Sequence, residues 1–265
     1  MRKIGVFDSG IGGMKIATSI FEQILSTDVC YFADQAFAPY GALSEEEIDK
    51  RCLFITEKFL NEGVELIVIA CNTATSTSIE KLRNKYDVPF VGVEPDLNYF
   101  NRNDIHKSSK VGVLTTPVTQ KMGKFNSLRA KLDPENVFNY IPMPLLANLV
   151  EKLFVASKKD IPKIKAEIQS DLCLRVPKDL DYLVLGCTHY GLIDKLIQEL
   201  MKVKTICPSS AVVKQVEYLL NVSKDLSSET SGEAIFSFCS SSEGDIFKKL
   251  NLEWKQRFKS EKLMS

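Results

Sequence analysis

Short runs of apolar and β-branched residues alternate along the chain with longer stretches in which apolar residues recur at helical spacing. Residues 3–7, 28–32, 66–70, 89–93, 111–114, 137–141, 183–185 and 205–207 read as strands. Between them, residues 13–25, 44–61, 77–85, 119–132, 145–155 and 192–201 read as helices. Strands that are apolar on both faces and separated by helices predict parallel sheets, hence an α/β fold.

A weak internal repeat sharpens this. Ile4-Gly5-Val6-Phe7-Asp8 is similar to Val111-Gly112-Val113-Leu114-Thr115, at an offset of 107 from Asp8 to Thr115. Leu66 to Cys71 is similar to Tyr182 to Cys187 at an offset of 116, and Glu94-Pro95 matches Cys207-Pro208 at 113. Three pairs in the same order, at nearly the same offset, predict two related α/β lobes, each built on a parallel sheet. The second lobe takes residues 98–208. The first takes 1–97 together with 209–265, because a lobe already complete at Pro208 sends the tail back. Buried parallel strands are all rich in Val, Ile and Leu, so composition alone makes such units look alike. It does not explain a cysteine at the same strand end in both.

The polar stretch 101–110 reads as the connection between lobes, and its His106 as a solvated loop residue. After Pro208 come a Ser-rich segment, 223–232, a strand near 234–239 and an amphipathic helix carrying Trp254 and Phe258. In that helix Lys248, Lys249, Lys255, Arg257 and Lys259 alternate with apolar residues, as on the solvated face of a surface helix.

Composition narrows the function classes. At 265 residues the chain suits one to two domains of roughly 150 residues each. Thirty-four basic residues balance 34 acidic ones, which leaves no long-range field to attract nucleic acid or an anionic membrane. The start reaches Asp8 before a signal-peptide core can form, and no apolar run approaches the roughly 18 residues of a membrane span. The expectation is a cytoplasmic protein with neither membrane nor nucleic-acid partners. Seven cysteines, an odd number with no CxxC pair, fit a reducing compartment.

In open parallel sheets ligands bind beyond the carboxyl ends of the strands. That rule selects Asp8-Ser9, Cys71-Asn72-Thr73, Thr115-Thr116 and Cys187-Thr188-His189. The turn Asp8-Ser9-Gly10-Ile11-Gly12-Gly13 reads either as an anion-binding set of backbone N–H groups or as a tight strand-to-helix packing turn. It is neither a Walker loop nor the dinucleotide fingerprint. Cys30, Cys52, Cys173, Cys207 and Cys239 lack comparable polar company and read as structural.

One thiol beside a histidine suggests acyl transfer, with cysteine as the nucleophile. Two thiols on opposite sides of a ligand suit proton transfer: one takes a proton from carbon while the other delivers one to the opposite face. That inverts a stereocentre without redox chemistry. It needs one thiolate and one thiol, tuned from a free value of about 8.5, with Asp8 and His189 at hand to tune them. A zinc site from Cys71, Cys187, His189 and Asp8 would lack close-spaced ligand pairs, so no metal is expected.

Four motifs in order, Asp8 to Gly13, Pro39-Tyr40-Gly41, Ala70-Cys71-Asn72-Thr73-Ala74 and Gly186-Cys187-Thr188-His189, closely resemble those of the glutamate racemases of the aspartate/glutamate racemase superfamily. The likeness runs over about residues 3 to 220. It implies two pseudo-symmetric parallel-sheet lobes with the active site in the cleft between them, and interconversion of L- and D-glutamate there with no cofactor, pyridoxal phosphate included. It further implies that Cys71 takes the α-proton from D-glutamate and Cys187 that from L-glutamate, assisted by Asp8, His189 and Glu151. Ser9, Pro39, Tyr40, Gly41, Asn72, Thr73, Thr116, Thr119 and Thr188, with Asp8 and His189, fall at substrate-binding positions. The resemblance also implies a homodimer supplying D-glutamate for peptidoglycan synthesis in a bacterial cytoplasm.

The chain departs from the family pattern at Leu43, where a basic residue is common, and at Pro117-Val118, where a glycine is usual. Asn148 replaces a proline and Pro208-Ser209 stands where many members carry an aspartate. Three other readings compete: a racemase of aspartate or another acidic amino acid, a two-lobed amino-acid-binding protein without chemistry, and a Cys-His hydrolase.

Overall fold

The computed structural model describes residues 2–103, 109–222 and 234–242. Its strands are β1 (Arg2–Asp8), β2 (Thr27–Ala33), β3 (Leu66–Ile69), β4 (Phe90–Gly92), β5 (Val111–Thr115), β6 (Asn139–Pro142), β7 (Tyr182–Leu185), β8 (Lys204–Ile206) and β9 (Phe236–Ser240). They form two sheets, ordered β4-β3-β1-β2-β9 and β6-β5-β7-β8, and every pairing is parallel. Read from its other edge the second sheet runs β8-β7-β5-β6, the order of the first sheet with β9 removed. The repeat seen in the sequence is therefore a repeat of topology, with β1, β3 and β4 answering to β5, β7 and β8.

Alternation along the strands buries both sheet faces, as a helix-covered parallel sheet requires. In the first sheet Ile4, Val6, Val29, Tyr31, Leu66 and Val68 face the Met14–Gln23 and Ser209–Val222 helices, in one cluster with Ile16, Ile20, Val213 and Val216. Phe7, Phe32, Ile67 and Ile69 face the opposite way, onto Ile55 and Phe59 of the Glu45–Asn61 helix and onto Ile79 and Leu82 of the Asn72–Lys85 helix. The second sheet packs Leu114, Leu183 and Leu185 against Leu146, Leu172 and Ile197, while Val111, Val113 and Val184 meet Leu97 and Phe100.

Several boundaries differ from the sequence reading. The helix expected from residue 77 begins at Asn72, directly after Cys71. The expected helix 119–132 is two, Pro117–Lys121 and Gly123–Leu132, broken where Met122 takes an extended backbone. The helix expected over 192–201 is preceded by a separate turn, Thr188–Leu192, before Asp194–Met201. The helices Ile161–Arg175 and Ser209–Val222 add to those the sequence pattern predicts. Cys173 is exposed on the first of these, so it is not a core residue; Cys30 and Cys52 are buried.

Beyond Pro208 the described chain packs on the first sheet: Arg2 donates to the carbonyl of Leu220 at 2.6 Å, and β9 extends the sheet at the β2 edge. His106, the Ser-rich segment and the basic C-terminal helix with Trp254 and Phe258 lie outside the described residues. Among those described, no helix is long and apolar enough to cross a membrane.

Candidate active site

Both sheets present their carboxyl ends to one cavity of about 590 Å³. The residues to which the resemblance gives a role line it: Asp8, Ser9, Pro39, Tyr40, Gly41, Cys71, Asn72 and Thr73 from one side, Thr116, Thr119, Glu151, Cys187, Thr188 and His189 from the other. Thr115, also selected by its strand end, is fully buried and does not line it. Gln35, Pro144, Ala147 and Asn148 line it as well.

Asp8 ends β1 and is buried. Its Oδ1 accepts the Ser9 N–H at 2.6 Å and the Ser9 hydroxyl at 3.2 Å, while its Oδ2 accepts the Thr188 hydroxyl at 3.0 Å. Burial pushes its carboxyl above the ordinary range, opposed by the charge of His189 and by the hydrogen bonds from Thr188 and Ser9.

Cys71 stands at the N-cap of the Asn72–Lys85 helix, its Sγ 3.9 Å from the Ser9 hydroxyl. Burial, then the charge of Asp8, pushes its thiol far up; hydrogen bonds from Ala74 and Ser9 pull the other way. Cys187 occupies the equivalent position after β7, and its Sγ lies 3.7 Å from His189 Nδ1. On its far side His189 Nε2 lies 2.7 Å from Glu151 Oε1. Burial alone would strip the imidazole of its proton, but the bonds to Cys187 and Glu151, with the charge of Asp8, hold its pKa well above the ordinary value. The two cysteines thus sit in unlike surroundings, a hydroxyl and a carboxylate for Cys71, an imidazole backed by a carboxylate for Cys187.

The glycine-rich turn resolves toward packing rather than capture of an external anion. Its Ile11 N–H donates to Glu151 Oε1 at 3.2 Å, and Tyr31 donates its hydroxyl to the Gly10 carbonyl at 2.6 Å. A Cβ on Gly12 would lie 2.6 Å from Thr188 Oγ1, 2.7 Å from His189 Nδ1 and 2.9 Å from Asp8 Oδ2. The glycine is needed because residues of the second lobe occupy the space beside it.

No lysine or arginine lines the cavity among the described residues. Anionic groups of a ligand would meet hydroxyls, the Asn72 amide and backbone N–H groups. The N–H groups of Tyr40 and Gly41 have no acceptor among the described residues. Tyr40 lines the cavity but spends its hydroxyl on Asp34 Oδ2 at 2.5 Å. Thr116 caps the Pro117–Lys121 helix and lies 2.9 Å from Thr119 through their hydroxyls. Val118, at the departure from glycine, lies beside Gly41 in the cavity wall, its Cγ2 3.1 Å from where a Gly41 Cβ would stand.

Gln35 was missed. Its Nε2 approaches Glu151 Oε2 at 3.5 Å and its Oε1 is buried without a partner. No motif marks it; only the fold brings it to Glu151. Among the described residues no group of three or more His, Cys, Asp or Glu side chains is arranged to hold a metal ion.

The model of the Asp/Glu/Hydantoin racemase family matches residues 15–216. The chain belongs to that family. This makes it a racemase, an isomerase of a class that works without pyridoxal phosphate. The glutamate racemase of Clostridium novyi (strain NT) is 36% identical over 199 residues, covering 75% of this racemase and 74% of the relative. That of Cupriavidus pinatubonensis is 36% identical over 215 residues, 80% and 77% of the two chains. Among solved structures, Escherichia coli glutamate racemase in complex with L-glutamate and the activator UDP-MurNAc-Ala is 25% identical, with a TM-score of 0.81 over 97% of this chain and 95% of that one. The Francisella tularensis glutamate racemase in complex with D-glutamate is 27% identical, with a TM-score of 0.73 over 96% and 94%.

Proposed function

We propose that this racemase interconverts L- and D-glutamate by two-base proton transfer at Cα, with Cys71 and Cys187 as the bases. The observation that carries the reading is their placement: equivalent strand ends of two repeated sheets, both lining one cavity. With D-glutamate bound, the Cys71 thiolate takes the α-proton and becomes a thiol. The electron pair left on Cα is spread onto the α-carboxylate, which the neutral donors of the cavity stabilise. The Cys187 thiol then gives its proton to the opposite face and becomes a thiolate. The reverse direction exchanges these roles.

Each turnover leaves the proton on the other sulfur, so the site must be reset. Asp8, whose charge acts on the Cys71 thiol, and His189, 3.7 Å from the Cys187 sulfur, would relay that proton. Glu151 holds the imidazole in place through Nε2. Ser9, Asn72, Thr73, Thr188 and the Tyr40 and Gly41 N–H groups would receive the two carboxylates, with Pro39, Thr116 and Thr119 completing the walls.

In a cell the enzyme would act as a cytoplasmic homodimer and feed D-glutamate to peptidoglycan synthesis. Alanine substitution of each cysteine tests the assignment. Cys71→Ala and Cys187→Ala should each lower racemization by about 100- to 10,000-fold or more, the range for a removed general acid or base. Full turnover by either variant would rule out a two-base mechanism, and preferential turnover of aspartate by the wild type would rule out glutamate as the substrate.

A further inference from the structure

Asp34 is fully buried one residue beyond β2, yet it does not line the cavity. Both of its oxygens are taken. Arg51, from the Glu45–Asn61 helix, donates Nε to Oδ2 and Nη2 to Oδ1 at 2.8 Å each, and the Tyr40 hydroxyl donates to Oδ2. The Arg51 guanidinium also lies over two aromatic faces, 3.9 Å from the ring centre of Phe37 and 4.7 Å from that of Phe54. One arginine outside the cavity therefore grips the segment 34–43 at Asp34 and Phe37, and through Asp34 at Tyr40. That segment carries Pro39, Tyr40 and Gly41 to the cavity wall, with the Tyr40 and Gly41 N–H groups that have no acceptor among the described residues.

We propose that Arg51 and Asp34 are positioning residues that set the affinity of the Tyr40-Gly41 N–H pair for a substrate carboxylate; this rests on the glutamate reading above. The planar guanidinium spans both carboxylate oxygens, which the point charge of a lysine does not do. The pair has a second effect. Arg51 cancels the Asp34 charge, which would otherwise sit behind the loop that receives an anion. Without Arg51 the loop loses its anchor and gains an uncompensated negative charge, and both weaken binding of a dicarboxylate. Neither touches the reacting carbon, so the effect falls on binding rather than on the proton transfers.

The test combines steady-state kinetics in both directions, calorimetric binding of L-glutamate and thermal melting. The proteins are the wild type, Arg51→Met, Arg51→Lys, Asp34→Asn and the double variant Asp34→Asn/Arg51→Met. Arg51→Met should raise KM and Kd by about tenfold or more, the scale of a lost charge-assisted hydrogen bond, while kcat changes by less than about threefold. Arg51→Lys should fall between. The double variant should recover much of the affinity, because a neutral carboxamide needs no cation and still accepts the Tyr40 hydroxyl. A merely structural pair would lower melting temperature and leave Kd unchanged. Unchanged Kd in the folded variants, or a double variant no better than Arg51→Met, overturns the proposal. Should Arg51→Met fail to fold, Arg51→Lys decides by the same criterion. Binding without turnover by the wild type would contradict the proposed reaction and still leave the Kd comparison to judge Arg51 and Asp34.

Discussion

The side-chain amide of Asn72 donates to the carbonyl of Gly186 at 2.6 Å. It thereby ties the residue after one cysteine to the residue before the other. The two thiols come from strand ends 116 positions apart in the chain, from Cys71 to Cys187, and this bond fixes one lobe against the other at the point where they meet. Gly186 has no room for a side chain, since a Cβ would lie 2.4 Å from the Leu114 carbonyl oxygen.

Asn72→Asp replaces that donor by a carboxylate facing a carbonyl oxygen. It should lower kcat/KM by roughly 100-fold or more and lower the melting temperature. Asn72→Ala removes the bond without adding repulsion and should cost about 1–2 kcal/mol of stability, measured by denaturant unfolding. An Asn72→Ala variant as stable as the wild type would show that the bond between lobes does not matter.

Gly12→Ala should be far more damaging than an alanine at an ordinary turn. The added methyl meets Thr188, His189 and Asp8 at once, and the bonds among them leave little room to move. A stability loss of about 1–3 kcal/mol is expected for such overpacking, together with loss of racemization. Chemical unfolding and an activity assay read the two effects separately.

Glu151→Gln tests the electrostatics of the Cys187 side, where His189 faces Cys187, Glu151 and Asp8. Glu151 helps hold the imidazole proton, so without it His189 deprotonates at lower pH. The alkaline fall in kcat/KM should move toward neutral pH. Because the pKa of His189 is raised on folding, the stability it contributes is complete below its unfolded value of about 6.5 and is lost as pH rises through the folded value. The stability difference between wild type and variant, roughly 1–3 kcal/mol for a charged hydrogen bond at low pH, should therefore shrink at alkaline pH. A difference independent of pH would contradict this account of His189.

What the sequence made legible is the frame. The paired strand ends located Cys71 and Cys187, and repeated apolar strands announced two parallel sheets. The start of the Asn72–Lys85 helix was not legible, because Asn-Thr-Ala-Thr-Ser-Thr-Ser is polar and β-branched and favours loops on propensity alone; burial of Ala74, Thr75, Ser78 and Ile79 overrides it. The Ile161–Arg175 helix carries charges almost all round, so its apolar stripe is faint, and only Ile168 and Leu172 reach full burial among its apolar side chains. Gln35, Asp34 and Arg51 belong to no motif. Their roles follow from contacts across 116 positions, from Gln35 to Glu151, and across 17, from Asp34 to Arg51, which local pattern does not encode.

The most direct test of the central claim is the early fate of deuterium when each enantiomer of glutamate is incubated with the enzyme in D₂O. Two monoprotic thiols predict that product forms with deuterium at Cα while recovered substrate keeps its hydrogen, because the abstracting sulfur can return only the proton it took. The same pattern should hold starting from either enantiomer. Deuterium entering the recovered substrate as fast as the product, or no exchange from either enantiomer, would contradict transfer between Cys71 and Cys187.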